Sequence, residues 1–320
     1  MRVSTAQIFD NGTTGIQRNQ FNLYQVQNQL ATGRRIATPA DDPIGASQAL
    51  KVTQSKEVND QFLENQALAK TQLGLVENKL GSLEDELQSI LERAIQAGNG
   101  SYSPAQRGMI AEELKRRFEN VMSLANSRDA QGLYVFAGFQ TNTQPFQVTG
   151  TGGNYQIAAP ANPYVTYSGD AGVPAVQVSA SQSMDITESG LDVFMQVRDG
   201  TGALTGRSLF DSLQNLVDIL DPASSVPFTT AAYTQAVDDL HASIDHVANR
   251  RASVGARLQS LASLTSSGED VKLLHEQRLS ELQDLDYTQA ISDLSRLQVQ
   301  LEASQLSFKQ TSQLSLFNIL

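Results

Sequence analysis

Three histidines and a few paired acids are the residues of this chain best placed to do chemistry, and their spacing argues against it. His241 and His246 lie five apart. That misses the four-residue interval at which two imidazoles on one helix share a metal, and no acidic motif completes them. His275 stands among charged neighbours and reads as solvated. Asp41 and Asp42 could begin a divalent-cation site, but without further oxygen ligands adjacent carboxylates read as capping groups. Asp284-Leu-Asp286 reads likewise, as acids at a helix start where the dipole favours negative charge. Gly200-Thr-Gly-Ala-Leu-Thr-Gly206 has the glycines of a phosphate loop, but no Gly-Lys-Ser/Thr ending and no strand–turn–helix around it; a turn-rich hairpin is expected. No Gly-x-Ser-x-Gly elbow occurs. The reading is of no catalytic residue, no cofactor and no metal, hence a non-enzymatic role.

The elements that would position chemistry instead position apolar seams. From Asp270 to Leu320 there is neither proline nor glycine. Tyr287, Ala290, Leu294, Leu297, Leu301, Ser304, Phe308, Thr311 and Ser315 follow at steps of three and four, the seam of a helix packed along another. Val299, Leu306 and Phe317 fall on nearly the opposite side at 100° per residue. A helix with two apolar sides requires more than one neighbour. At the other end Phe9, Ile16, Leu23 and Leu30 recur every seven residues with Val26 beside them. Arg2, Arg18, Arg34 and Arg35 against Asp10 make residues 1–40 positive, at +3; residues 281–320 are negative, at −3. The two ends are therefore expected to pair, although exposed charge pairs contribute little each. Phe9, Ile16, Leu23, Val26, Leu30, Leu294, Leu297, Val299, Leu301, Leu306, Phe308, Leu316 and Phe317 form the expected assembly interface.

Between these ends the chain is symmetric. Gly33 supplies a helix stop, and Asp42-Pro43 caps a new helix that runs to about Ala97, roughly 80 Å at 1.5 Å per residue. Its seam carries Leu73, Leu80 and Leu87. Gly98-Asn99-Gly100 breaks it, and Ser103-Pro104 starts a second bundle helix. From Gly138 to Met184 the only charged residue is Asp170, and ten of the 22 glycines fall between Gly138 and Gly206. Short alternating runs at Tyr164–Tyr167 and Val176–Val178, with Phe146 and Tyr155 nearby, indicate a small folded β insert rather than a linker. Helical pattern resumes at Arg207 and stops at Asp221-Pro222. After Pro227 a long seam carries Leu240, Ile244, Val247 and Leu258, interrupted only by Arg251, and Ser266-Ser267-Gly268 reads as a kink before the closing helix. The expected fold is mainly α: a helical bundle and coiled coil from both arms, with a β-rich insert. Its domains are 1–40 with 281–320 for assembly, 41–138 with 207–280 as bundle, and 139–206 as insert.

Composition narrows the class. A net charge of −11 with no basic patch argues against nucleic acid. With no cysteine there is no disulfide framework or zinc finger. The longest apolar run, Leu133–Phe139, is too short to span a bilayer, and the N-terminus lacks an apolar leader, so membrane insertion and a cleaved signal peptide are not expected.

Particular residues then carry a resemblance. Arg2-Val-Ser-Thr; Gly33-Arg-Arg-Ile-Ala-Thr-Pro-Ala-Asp-Asp-Pro-Ile-Gly45; Asn126-Ser-Arg-Asp129 followed by Gly132-Leu-Tyr-Val-Phe-Ala-Gly-Phe139 and Pro145-Phe146; Arg251-Ala-Ser-Val-Gly-Ala-Arg-Leu258; and Leu314-Ser-Leu-Phe-Asn-Ile-Leu320 resemble stretches of the flagellin superfamily, closest to its hook-associated branch. The likeness covers roughly 1–146 and 186–320. It implies an extracellular structural subunit of the bacterial flagellum at the junction of hook and filament. The implied partners are copies of itself in a ring, an adjacent hook-associated protein and flagellin, with a cytoplasmic chaperone and the flagellar type III apparatus during export. A filament flagellin is the alternative in the same class; a secreted adhesin or enzyme on a helical stalk is the alternative in another. The terminal helices bury too little alone to offset ordering at about 1–2 kcal/mol per residue, so they are expected to become ordered on assembly.

Overall fold

The computed structural model describes residues 5–149 and 164–317. In chain order the helices are α1 (Thr5–Thr32), α2 (Pro43–Ala97), α3 (Pro104–Ala125), α4 (Leu209–Leu220), α5 (Thr230–Gln283) and α6 (Tyr287–Phe317). Four short strands, β1 (Phe146–Val148), β2 (Val165–Tyr167), β3 (Ala175–Ser179) and β4 (Gln182–Asp185), and one π-helical turn, Leu191–Met195, lie between α3 and α4. The chain divides into two compact units, Gln61–Gly268 and Met1–Asp60 with Glu269–Leu320; α2 and α5 contribute to both.

In the Gln61–Gly268 unit the α2 seam is the spine of the core. Leu73, Val76, Leu80 and Leu87 are fully buried, as are Leu240, Val247 and Val254 of α5 and Val121 of α3. Ile244 and Leu258 are half-buried against this cluster. Each large aliphatic side chain removed from water in this way contributes about 1.5–3 kcal/mol. Arg251, which interrupts the apolar spacing of α5, reaches across to α2. Its Nε donates to Glu77 Oε1 at 2.8 Å and its Nη1 to Glu84 Oε2 at 3.2 Å. A Cβ at Gly81 would stand in van der Waals contact with that guanidinium, at 3.4 Å.

α3 begins at a capping box, with Ser103 and Gln106 each satisfying the other's backbone N–H. α4 uses the same device with Ser208 and Asp211. Nearly every residue of α4 is buried, so its cap lies inside the protein. The antiparallel pairs β1–β2 and β3–β4 are two separate two-stranded sheets. Such small sheets are marginal alone; rings joined to the bundle support β1–β2, and Val178 and Met184 of β3–β4 enter the same buried core. Phe146 of β1 lies 5.0 Å from Phe194 of the π-helical turn and 5.3 Å from Phe210 of α4, centroid to centroid; Phe210 in turn meets Phe118 of α3 at 6.1 Å. The strand segment thus shares one core with the helices. Asp170 accepts from the N–H groups of Phe139 and Gly172, both at 2.9 Å, which explains a charge in an otherwise uncharged stretch. Tyr155 lies outside the described residues.

One expectation is corrected. Ser266-Ser267-Gly268 does not end the helix: α5 runs through it to Gln283, and the break before the closing helix is Asp284–Asp286. A lone glycine costs a helix interior only about 1 kcal/mol, which a helix of 54 residues tolerates. Asp286 makes the real start, its Oδ1 accepting from the N–H groups of Thr288 and Gln289 at 2.9 and 3.1 Å.

Candidate assembly interface

Within the unit formed by the two ends, α1 packs antiparallel against α6. The edge of one ring meets the face of the other where Phe9 approaches Phe308, centroids 5.1 Å apart. Asn19 Nδ2 donates to Ser304 Oγ at 2.8 Å, and that hydroxyl donates to the Gln300 carbonyl at 2.7 Å. Gly12 lies directly beneath Phe308; a Cβ there would stand 2.5 Å from the ring. A shallow groove continues from this point, lined by Asn11, Gly15, Ile16, Ser307 and Thr311.

At the other end of the pair, the α1–α2 and α5–α6 connections are fastened together. Arg34 and Asp284 form an antiparallel bridge. Arg35 N–H donates to the Gln283 carbonyl at 2.7 Å, and Leu285 N–H to that of Gly33 at 3.0 Å. The Arg35 guanidinium donates to the Leu282 carbonyl at 2.7 Å. Gly33 has φ +70°, and a side chain there would strike the Tyr287 hydroxyl at 2.8 Å. Asp41 and Asp42 serve as backbone acceptors. Thr38 N–H donates to Asp41 at 2.7 Å and Gly45 N–H to Asp42 at 2.9 Å. Those N–H groups hold both carboxyls below the usual carboxylate range, with Arg35 adding to the effect on Asp42. Among the described residues no cluster of three or more histidines and acids is arranged to hold a metal. No described helix is long and apolar enough to cross a membrane.

The interface residues read from the sequence divide into two sets. Ile16, Leu23, Val26, Leu30, Leu294, Leu297, Leu301 and Phe308 are half-buried. Phe9 is 38% exposed despite its ring contact. Val299 and Leu306, by contrast, are 66% and 60% exposed. The side chains of Leu316 and Phe317 lie outside the described residues. The sequence pattern passes over an exposed pair on α1, Phe21 and Tyr24, and exposed Ile291 on α6, while Tyr287, first in the expected α6 seam, is 54% exposed. Phe21 and Tyr24 sit off the heptad track, so a search along one seam passes over them; plotting every large apolar residue of α1 by angle would have found them. In a folded monomer such a stripe of large apolar side chains is unpartnered surface of the kind that marks interaction sites.

A family model described as the bacterial flagellin N-terminal helical region matches residues 3–141. The chain is 30% identical to the flagellar hook-associated protein 3 of Salmonella typhimurium, and 30% to that of Escherichia coli; each match covers all of this chain and 99% of the relative. Its fold is similar to that of FlgL from Xanthomonas campestris, with a TM-score of 0.57, 22% identity and coverage of 72% of this chain and 99% of that one. It is also similar to the flagellar junction protein FlgL from Legionella pneumophila, with a TM-score of 0.59, 16% identity and coverage of 74% and 100%.

Proposed function

The chain belongs to the flagellar hook-associated protein 3 family, and from that premise we propose that it joins hook to filament as a structural subunit of the bacterial flagellum. The observation that carries this reading is the two-sided closing helix. One side of α6 is covered by α1 of the same chain, while Ile291, Val299 and Leu306 stand exposed. Copies of the chain would cover part of that second side, and unlike flagellar subunits on either side of the junction would cover the rest. The burial a monomer lacks is then supplied by the polymer, so α1 and α6 gain their full stability on assembly. Export through the flagellar type III apparatus, with a cytoplasmic chaperone shielding the apolar ends, belongs to the same proposal.

The test is deletion of the gene, complementation, and electron microscopy of the cells. Hooks bearing no filaments, with unpolymerised flagellin in the medium and recovery on complementation, is the expected result. Intact filaments on the deletion strain would end the proposal.

A further inference from the structure

The sequence holds two Asn-Gly pairs, Asn11-Gly12 and Asn99-Gly100, and one Asp-Gly pair, Asp199-Gly200. All three are candidates for the same self-modification. The backbone nitrogen of the glycine attacks the side-chain Cγ of the residue before it, because no Cβ on the glycine obstructs the approach. The three environments differ sharply.

Asn11 and Gly12 are inside α1. A helical ψ near −42° turns the Gly12 nitrogen away from the Asn11 side chain and commits its N–H to the helix ladder. Gly12 is also held against the Phe308 ring. Asp199 and Asn99, in contrast, occupy equivalent turns. Thr201 N–H donates to Asp199 Oδ1 at 2.9 Å, and Ser101 N–H donates to Asn99 Oδ1 at 3.0 Å. Asp199 Oδ1 additionally accepts from the Thr201 hydroxyl at 2.6 Å and from Ala203 N–H at 3.0 Å. The hydrogen bond from the Thr201 hydroxyl, followed by that from the Thr201 backbone, holds its carboxyl below the usual range. It is therefore ionised at neutral pH, and a carboxylate carbon is a poor electrophile.

Asn99 is neither inside a helix nor ionised, and of the Asp199 contacts it shares only the one from the N–H two residues on. It and Gly100 are exposed in the α2–α3 turn, and a Cβ on Gly100 would meet nothing within 4 Å. The turn is held instead through the Asn99 main chain, whose N–H donates to the Gln96 carbonyl at 3.2 Å and whose carbonyl accepts from Tyr102 N–H at 3.0 Å. The Ser101 N–H aims at the oxygen that becomes negative when Cγ turns tetrahedral, the arrangement of an oxyanion donor.

We propose that Asn99 is a spontaneous modification site of this protein, converting to aspartate and isoaspartate through a cyclic imide with Gly100. Gly100 N loses its proton to solvent base and bonds to Asn99 Cγ. The Cγ–Nδ2 bond breaks, and the side-chain nitrogen leaves as ammonia. Water then opens the ring at either carbonyl. Opening at the main-chain carbonyl leaves isoaspartate, with one extra methylene in the backbone. Both products place a new negative charge just past the C-terminus of α2, where the dipole disfavours it. The isoaspartate also lengthens the main chain between the two hydrogen bonds that hold the turn.

The experiment ages the purified full chain in mildly alkaline buffer, folded and in denaturant. Peptide mass mapping and labelling by an isoaspartyl methyltransferase locate the product. In the folded chain residue 99 gains the acid well ahead of residue 11, and isoaspartate does not build up at residue 199; in denaturant the two asparagines react at similar rates. Gly100→Ala, which the open space accommodates, slows the reaction at residue 99 roughly tenfold by restricting the attack geometry. Equal rates at Asn11 and Asn99 in the folded chain would overturn the proposal. So would an Asn99 amide that survives in the folded chain after the denatured chain has lost its own.

Discussion

Gly12 sets how closely α1 approaches α6, because it is the residue on which the Phe308 ring rests. Gly12→Val would drive its side chain into that ring, and overpacking of this kind costs about 1–3 kcal/mol. The expected result is faster hydrogen exchange across α1 and α6 with unchanged exchange at Leu80 and Leu240, and Phe308→Ala in the same chain restores part of the loss. Equal loosening of the single and double variants would show that the contact carries no weight. A second residue-scale prediction concerns His246, buried on α5. Its Nδ1 accepts from Arg198 N–H at 3.3 Å, so its proton is on Nε2, facing the Asp192 carbonyl at 2.8 Å. Burial holds the imidazole below its ordinary value of 6.5, the Asp192 carbonyl opposes that, and Arg250 and Arg198 reinforce it. The unfolded chain therefore takes up the proton first. The stabilising contribution is complete above pH 6.5 and declines as pH falls from there through the lower folded-state value. Denaturant titrations at a series of pH values should show this acid-side loss in the wild type and its absence in His246→Gln; parallel profiles would refute it.

At the scale of elements, the joint between the Gly33–Asp42 and Asp284–Asp286 connections is held by backbone hydrogen bonds from both strands of chain. Gly33→Ala forces a side chain into the left-handed region, at about 1–2 kcal/mol, and into the Tyr287 hydroxyl. The variant should lose protease resistance at Arg34 and Arg35 while its far-UV helicity changes little; unchanged cleavage would mean that the joint tolerates a side chain. How much of this was legible follows from the kind of interaction involved. α2 and α3 were readable because Asp42-Pro43 and Ser103-Pro104 are local start signals and their seams are periodic. The joint was not readable, since its partners are some 250 residues apart in sequence and, the Arg35 guanidinium aside, bond through main-chain atoms that carry no residue code. The π-helical turn escaped for a similar reason. Leu191–Met195 has no propensity signature, and Val193 and Phe194 are drawn into a core whose rings come from α3, α4 and β1. Gly268 misled because one glycine costs a helix interior only about 1 kcal/mol, too little to end a helix of 54 residues.

At the scale of the whole molecule, the two sides of α6 make separable predictions. Leu80 is fully buried, so Leu80→Asp places an unpaired charge in the core and should unfold the bundle, with loss of secretion and filaments alike. Leu306 is 60% exposed and Val299 66%. Substitution of such a side chain changes monomer stability by about 0.5 kcal/mol or less. Leu306→Asp is therefore expected to leave the thermal unfolding midpoint of the purified chain unchanged and the protein in the culture medium at wild-type amounts, yet to abolish filament attachment. The physical reason is that a carboxylate is tolerated where water reaches it and strongly disfavoured where a neighbouring subunit would cover it. Comparing the midpoint with the filament count in one strain separates the two effects. Normal filaments on Leu306→Asp cells would show that the second side of α6 faces solvent in the finished structure. In that case the reading of α6 as a joint between subunits would fall, while the α1–α6 pairing within the chain would stand.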